Sequence, residues 1–250
     1  MHVFLTTLFV FTCVFGGALL GMFLRNVLPA IHLTPESKET IKLGMGLVGT
    51  MAALVLGLLV AAAKDAYDKQ GSEVTQLSAK ILMLDRALAH YGPETQPART
   101  VLKRTVADAI GRMWPSDSGQ SSQLMPMAKG EDLYDKIEEL APQTEEQRTI
   151  KAAALSLAIE MGEMRWLMFA QATNTITVPF LVVVVFWITV IFISFGLNAP
   201  HNATIVTALF LCALAVTGCI FLIQEMYTPY HGVIQVSSVP LRQALAHLGQ

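Results

Sequence analysis

LGMGLVGTMAALVLGLLVAAA, residues Leu43–Ala63, runs without a proline into KDAYDKQGSEVTQLSAKILMLDRALAHY, residues Lys64–Tyr91. The first piece holds no Asp, Glu, Lys, Arg or His. It has the roughly 20 residues that a helix rising about 1.5 Å per residue needs to cross a hydrocarbon core about 30 Å thick. In the second piece Val74, Leu77, Ile81, Leu84, Leu88 and Tyr91 alternate spacings of three and four, the seam of a packed helix. Lys64–Tyr91 has one glycine, Gly71, and ends at Gly92 and Pro93, a helix stop signal. One long helix is therefore predicted, a membrane span continued into water.

Three further stretches match the first in length and in lacking charge: Leu5–Leu24, Ile176–Leu197 and Ala203–Ile223. The chain is 53% hydrophobic and 14% charged, with charge concentrated in its middle, so the apolar excess is localised. The predicted fold is an all-α membrane protein with four transmembrane helices. They form two hairpins, residues 1–63 and 176–228, flanking a cytoplasmic helical bundle, residues 64–175, with an amphipathic C-terminal tail, residues 229–250. Leu5–Leu24 reads as a retained span rather than a signal peptide. Met1–Phe4 carries no Lys or Arg, and the apolar run exceeds a signal core.

Basic residues near span ends set orientation. Lys64, Lys69, Lys80, Arg165 and Arg242 flank one side; Arg25, Lys38 and Lys42 lie in the loop on the other, and Asn198–Asn202 has none. Residues 64–175 and both termini are expected in the cytoplasm, with the bilayer as the first partner. A net charge of -2 and the lack of a basic stripe exclude nucleic acid as an expected partner. The triplet Asn202, Ala203, Thr204 forms a glycosylation acceptor but abuts a span. Cys13, Cys212 and Cys219 all fall in apolar stretches; Cys212 and Cys219 are two turns apart, too far for a disulfide.

The middle segment predicts a second helix with Ala98, Val101, Leu102, Thr105, Val106, Ala109, Ile110 and Met113 on one face, ending at Trp114 and Pro115. Ser116–Gln123 reads as a flexible break. A short amphipathic helix over Glu131–Leu140 follows. A further helix carries Ile150, Ala154, Leu157, Met161, Met164 and Met168 at three-four spacing and is expected to pair antiparallel with Val74–Tyr91. Its methionines read as core rather than as a binding groove. In the tail, Ser238 and Pro240 start a helix with Leu241, Leu245 and Leu248 on its apolar face, lying on the membrane or on the bundle.

Gly49, Ala53, Gly57 and Ala61 recur every four residues in the second span, a stripe that admits close helix approach. Gly16, Gly17 and Gly21 on the first span offer a matching surface, so the two spans are expected to pack together. Alternatively Gly46, Thr50, Gly57 and Lys64 line a pore. The third span, rich in Val, Phe and Trp, reads as lipid-facing. At the inner mouth Asp65, Asp68, Arg165 and Glu225 form a charge cluster in which Asp65 and Asp68 can pair with Arg165. Two carboxylates are too few for a calcium site, so no metal is expected.

None of the spans carries an ionisable group, whereas coupled transporters and voltage sensors place such groups in mid-membrane. A glycine-rich phosphate loop, a metal-ligand motif and a Gly-x-Ser-x-Gly elbow are all absent, so neither an enzyme nor a cofactor is expected. An oligomeric channel and a non-conducting scaffold presenting the helical bundle to a partner remain.

LGLLVAAAKDAYDKQGSEVTQLSAKILMLDRALAHYGPE (residues 56–94), EMRWLMFAQ (163–171) and residues 178–250 resemble the bestrophin-like domain family of bacteria and plants, with the likeness spanning about Leu43–Gln250. The resemblance implies kinship with bestrophins, homopentameric anion channels with two membrane hairpins around a cytoplasmic helical region. It thereby implies a homo-oligomer, pentameric by analogy, passing small anions in a bacterial inner (plasma) membrane. It places neither the bestrophin neck motif nor the acidic calcium clasp on particular residues.

Overall fold

A computed structural model describes residues 2–29, 34–114, 129–172, 178–200, 202–230 and 232–250. Among them the chain is helical and has no strand: α1 (His2–Val27), α2 (Pro35–Tyr91), a 3-10 turn (Pro93–Thr95), α3 (Gln96–Met113), α4 (Lys129–Glu138), α5 (Glu145–Ala172), α6 (Val178–Asn198), α7 (Ala203–Met226) and α8 (Val239–His247). Four of these helices, α1, α2, α6 and α7, are long and apolar enough to cross a membrane. The expected break at Ser116–Gln123 and the first residues of the third stretch, Ile176 and Thr177, lie outside the described residues.

The helix ends follow local chemistry. α2 stays unbroken through its polar half and stops at Gly92, whose φ of 139° an L side chain rarely adopts. The Thr95 hydroxyl, at 2.6 Å from the Leu88 carbonyl, donates to an acceptor that the ended helix leaves exposed. Asn202 caps α7: its side-chain oxygen accepts from the Ile205 N–H at 2.8 Å. The residue of the glycosylation triplet thus starts a helix.

Two compact units form, Met1–Ala66 with Thr175–Tyr227, and Tyr67–Asn174 with Thr228–Gln250. In the first unit α1 packs on α6 and α7. Between apolar helices in lipid there is little hydrophobic drive, so close van der Waals approach carries the association. Glycines provide it. A Cβ on Gly21 would collide with the Ile193 carbonyl, one on Gly196 with the Ala18 carbonyl, and one on Gly17 would stand 3.0 Å from the Thr189 methyl. The matched positions rise together along both helices, so α1 and α6 run parallel. The ring pairs Phe4 with Phe221 and Phe11 with Phe210, each with centroids 5.5 Å apart, run in opposite senses and make α7 antiparallel to α1. Gly17 and Gly21 therefore face the third span, not the second, while Gly16 faces open space. That contact also corrects the lipid-facing reading of the third span: Val184, Ile188 and Phe192 are buried while Val182 and Phe186 stay exposed.

In the second unit the predicted seams form the core. Val74, Ile81, Leu84 and Leu88 of α2 meet Leu102 and Val106 of α3, Ile137 of α4, Ala154 of α5 and Leu241 of α8. Burying a leucine of this kind is worth about 1.5–3 kcal/mol. Three side-chain links join α2 to α5: Gln171 to Glu73 at 2.9 Å, Lys80 to Glu160, and Gln147 to the Tyr91 carbonyl at 3.1 Å. As α2 numbers rise the α5 numbers fall, so these helices run antiparallel, as their seams predict. The tail packs on this core. The Tyr67 hydroxyl donates to the Gln235 carbonyl at 2.9 Å, and the Trp114 indole N–H to the Val236 carbonyl at 2.8 Å.

Candidate functional site: the bare face of the second span

At 100° per residue, Gly46, Gly49, Thr50, Ala53, Gly57, Ala61 and Lys64 fall within one face of α2 about 120° wide. The packing stripe and the pore-lining candidates are thus one surface. Among the described residues most of it is uncovered. Gly46, Thr50, Ala53, Gly57, Ala61 and Lys64 are exposed and Gly49 is half-buried. A Cβ added at Gly46, Gly49 or Gly57 would meet no neighbouring atom within 4 Å among the described residues. The helix turns its other side inward: Ala52 is buried, and Val55, Leu56 and Leu59 pack against the core of the first unit.

Beside Gly46 and Gly49 lies an open groove of about 580 Å³, bordered on α6 by Ser194 and Asn198 and at its end by Lys42. The Thr50 hydroxyl donates back to the Leu47 carbonyl at 2.8 Å, leaving its lone pairs toward the open side. At the far end of α1, the Arg25 guanidinium donates to the Ala199 carbonyl.

The residues of the expected charge cluster are divided between the two units, Asp65 and Glu225 in the first and Asp68 and Arg165 in the second. Asp65 and Asp68 are exposed, and Glu225 is buried near the end of α7. Arg165 belongs to the second unit, where it lines an apolar cavity with Met161, Met168 and Tyr230. Neither aspartate pairs with it. Among the described residues Arg165 makes no hydrogen bond or ion pair, and burial, then the neighbouring Arg112, pushes its pKa below the usual arginine value. Of the α5 methionines Met161 and Met168 join the core, as expected, and border this cavity too, whereas Met164 is half-buried outside it.

Sequence reasoning missed Tyr230 and the pair Asp85 with Arg99. The Tyr230 hydroxyl is buried without a hydrogen-bond partner, and burial, then the charge of Glu73, pushes its pKa well above the usual tyrosine value. No periodicity marks it, since it sits in the irregular segment between α7 and α8. Asp85 and Arg99 form a two-pronged ion pair, Nε to Oδ1 at 2.8 Å and Nη2 to Oδ2 at 2.9 Å, almost shut off from water. A signal existed: Asp85 lies four residues after Ile81, on the side of α2 that carries the seam. The three cysteines are free.

No curated protein and no solved structure matches the chain. The family model for the Bestrophin-like domain matches residues 12–241, from within α1 through α7 and into the start of α8. On that match, this four-helix membrane protein belongs to the Bestrophin-like domain family.

Proposed function

We propose that the protein is an oligomeric channel, passing small anions, in which the bare face of α2 from each copy lines the pore. The observation that carries this reading is that face: small, uncharged over Gly46–Ala61, and largely uncovered among the described residues. A face of small residues leaves room for a column of water or ions that leucines would close. Four spans in one chain are too few to enclose a wide pore, so copies must assemble. The charges nearest the span on this face are Lys42 at one end and Lys64 at the other, with Glu39 and Asp68 a turn further out. Repeated around an axis, the lysines make cationic rings suited to anions.

Kinship with bestrophins supports the same reading, as does the absence of ionisable groups within the spans, which leaves passive conduction rather than coupled transport. The two-hairpin arrangement is supported by the parallel run of α1 with α6 and the antiparallel run of α7. On this reading residues 64–175 and the tail lie on the cytoplasmic side, a side favoured by the basic residues Lys64, Lys69, Lys80, Arg165 and Arg242. A bacterial plasma membrane is the setting this reading takes.

Flux through liposomes tests it. The purified oligomer passes chloride above empty vesicles, Gly57→Leu abolishes the flux with the oligomer intact, and Lys64→Glu shifts preference from chloride toward sodium. Wild-type oligomer that passes neither ion overturns the channel and leaves the scaffold reading. Loss of the oligomer in Gly57→Leu assigns the face to contacts between copies.

A further inference from the structure

The second unit contains an apolar cavity of about 130 Å³, walled by side chains such as Ile81, Leu102, Val106 and Met168. Two groups on its lining are wrong for an empty apolar space. One is the Arg165 guanidinium, which no described residue pairs with or hydrogen-bonds, and whose charged neighbour is another cation, Arg112, held by Asp108 at 3.8 Å. Arginine does not shed its proton in proteins, so a partly buried guanidinium without an anion keeps its full desolvation cost. The other is the Tyr230 hydroxyl, on a side chain only 3% exposed, which has no hydrogen-bond partner among the described residues and feels the charge of Glu73. A buried donor left without an acceptor keeps its full desolvation cost.

Both deficits have the same remedy, an anionic acceptor. A carboxylate takes the two-pronged hydrogen bonds a guanidinium offers and accepts from a phenol as well. The apolar walls require more than an inorganic anion, which would leave them unfilled. An apolar cavity of about 150 Å³ holds a benzene ring, so this one fits one ring or a short branched alkyl chain. Gly162, one turn before Arg165 on α5, also lines the cavity, and a Cβ there would meet nothing within 4 Å, so the space extends beside the charge.

We propose that this cavity binds a small apolar carboxylate, its ring or branched chain among the core side chains, its carboxylate on Arg165 and Tyr230. The ligand class is defined by one negative charge and one apolar group of about six carbons. None of these residues lies on the α2 face assigned to conduction, so the two readings stand or fall separately.

The test uses the full chain in detergent, with phenylacetate as probe, titrated by calorimetry. Phenylacetate binds the wild type saturably, whereas phenylacetamide, the neutral isostere, and acetate, which lacks the ring, each bind at least about tenfold more weakly. Arg165→Gln weakens phenylacetate about tenfold or more and leaves phenylacetamide unchanged; Tyr230→Phe weakens it about two- to tenfold. Gly162→Leu, which adds bulk without touching either polar group, blocks both ring compounds. Without ligand, Arg165→Gln melts no lower than wild type, because it removes an unpaired charge. The proposal is overturned if the wild type does not bind phenylacetate, if Arg165→Gln binds it as well as wild type, or if acetate binds equally. Vesicles of dioleoyl phosphatidate that bind through Arg165 while phenylacetate does not would also overturn it, in favour of a lipid headgroup.

Discussion

α2 is one uninterrupted helix with two unlike halves. Over Leu43–Ala63 only Ala52 and Ala63 are buried, and Leu43, Leu47, Leu54 and Leu58 are each at least 65% exposed. Over Val74–Tyr91 the seam residues Val74, Ile81, Leu84 and Leu88 are sealed to 2% or less. Composition does not explain the contrast, since the bare half is the more apolar. The sealed half finds its partners within the chain, where burial drives folding. The bare half finds few among the described residues, and so large an exposed apolar surface marks a face made for contact with lipid or protein.

Breaking the sealed half gives the largest effects. Asp85→Ala leaves Arg99 buried without its carboxylate and costs about 3–5 kcal/mol, read by denaturant unfolding. The same pair gives the unfolding a pH dependence. Burial raises the Asp85 pKa, but hydrogen bonds from Arg99 and from the Gly249 N–H outweigh it and hold the carboxyl below its ordinary value of 3.8. A depressed folded pKa means stability that is complete above the unfolded value and lost as pH falls through the folded one. Wild type therefore loses stability below about pH 4 more steeply than Asp85→Asn, and parallel curves for the two would refute the assignment. Leu84→Ala, a cavity at the same level, costs about 2–5 kcal/mol.

Within the apolar unit, smaller effects sharpen the comparison. Gly21→Ala puts a methyl group against the Ile193 backbone and costs about 1–3 kcal/mol. Gly57→Ala, on the bare face, changes melting by no more than about 0.5 kcal/mol. Equal losses at the two glycines would mean that α2 is as closely packed within the chain as α1.

The seam of Val74–Tyr91, the faces of α3 and α5 and the tail helix were legible because burial in water imposes a three-four spacing that any partner will satisfy. The partner of Gly17 and Gly21 was not. Small residues at four-residue spacing state that a backbone comes close, without saying whose; α2 offered the obvious stripe, whereas α6 meets them through Thr189, Ile193 and Gly196 in a run of large apolar residues. The pore candidates and the packing stripe looked like rivals because they were read as separate sets, whereas helical rotation superimposes them. Arg165 was legible as a charge beside an apolar stretch. That it lines a cavity with Met161 and Met168 depends on tertiary packing of α3, α5 and the segment carrying Tyr230, which no local pattern encodes.

The tail's place in the second core bears on how the molecule is made. Leu241, Ala244 and Leu248 are buried among side chains of α2 and α3, and the carbonyls that satisfy Tyr67 and Trp114 belong to Gln235 and Val236. A ribosome that has delivered residues 67–174 has therefore supplied most of this core but not its closing pieces. Those arrive only after α6 and α7 have been synthesised, so this unit, against the usual order in which earlier segments fold first, must wait for the last helices of the other.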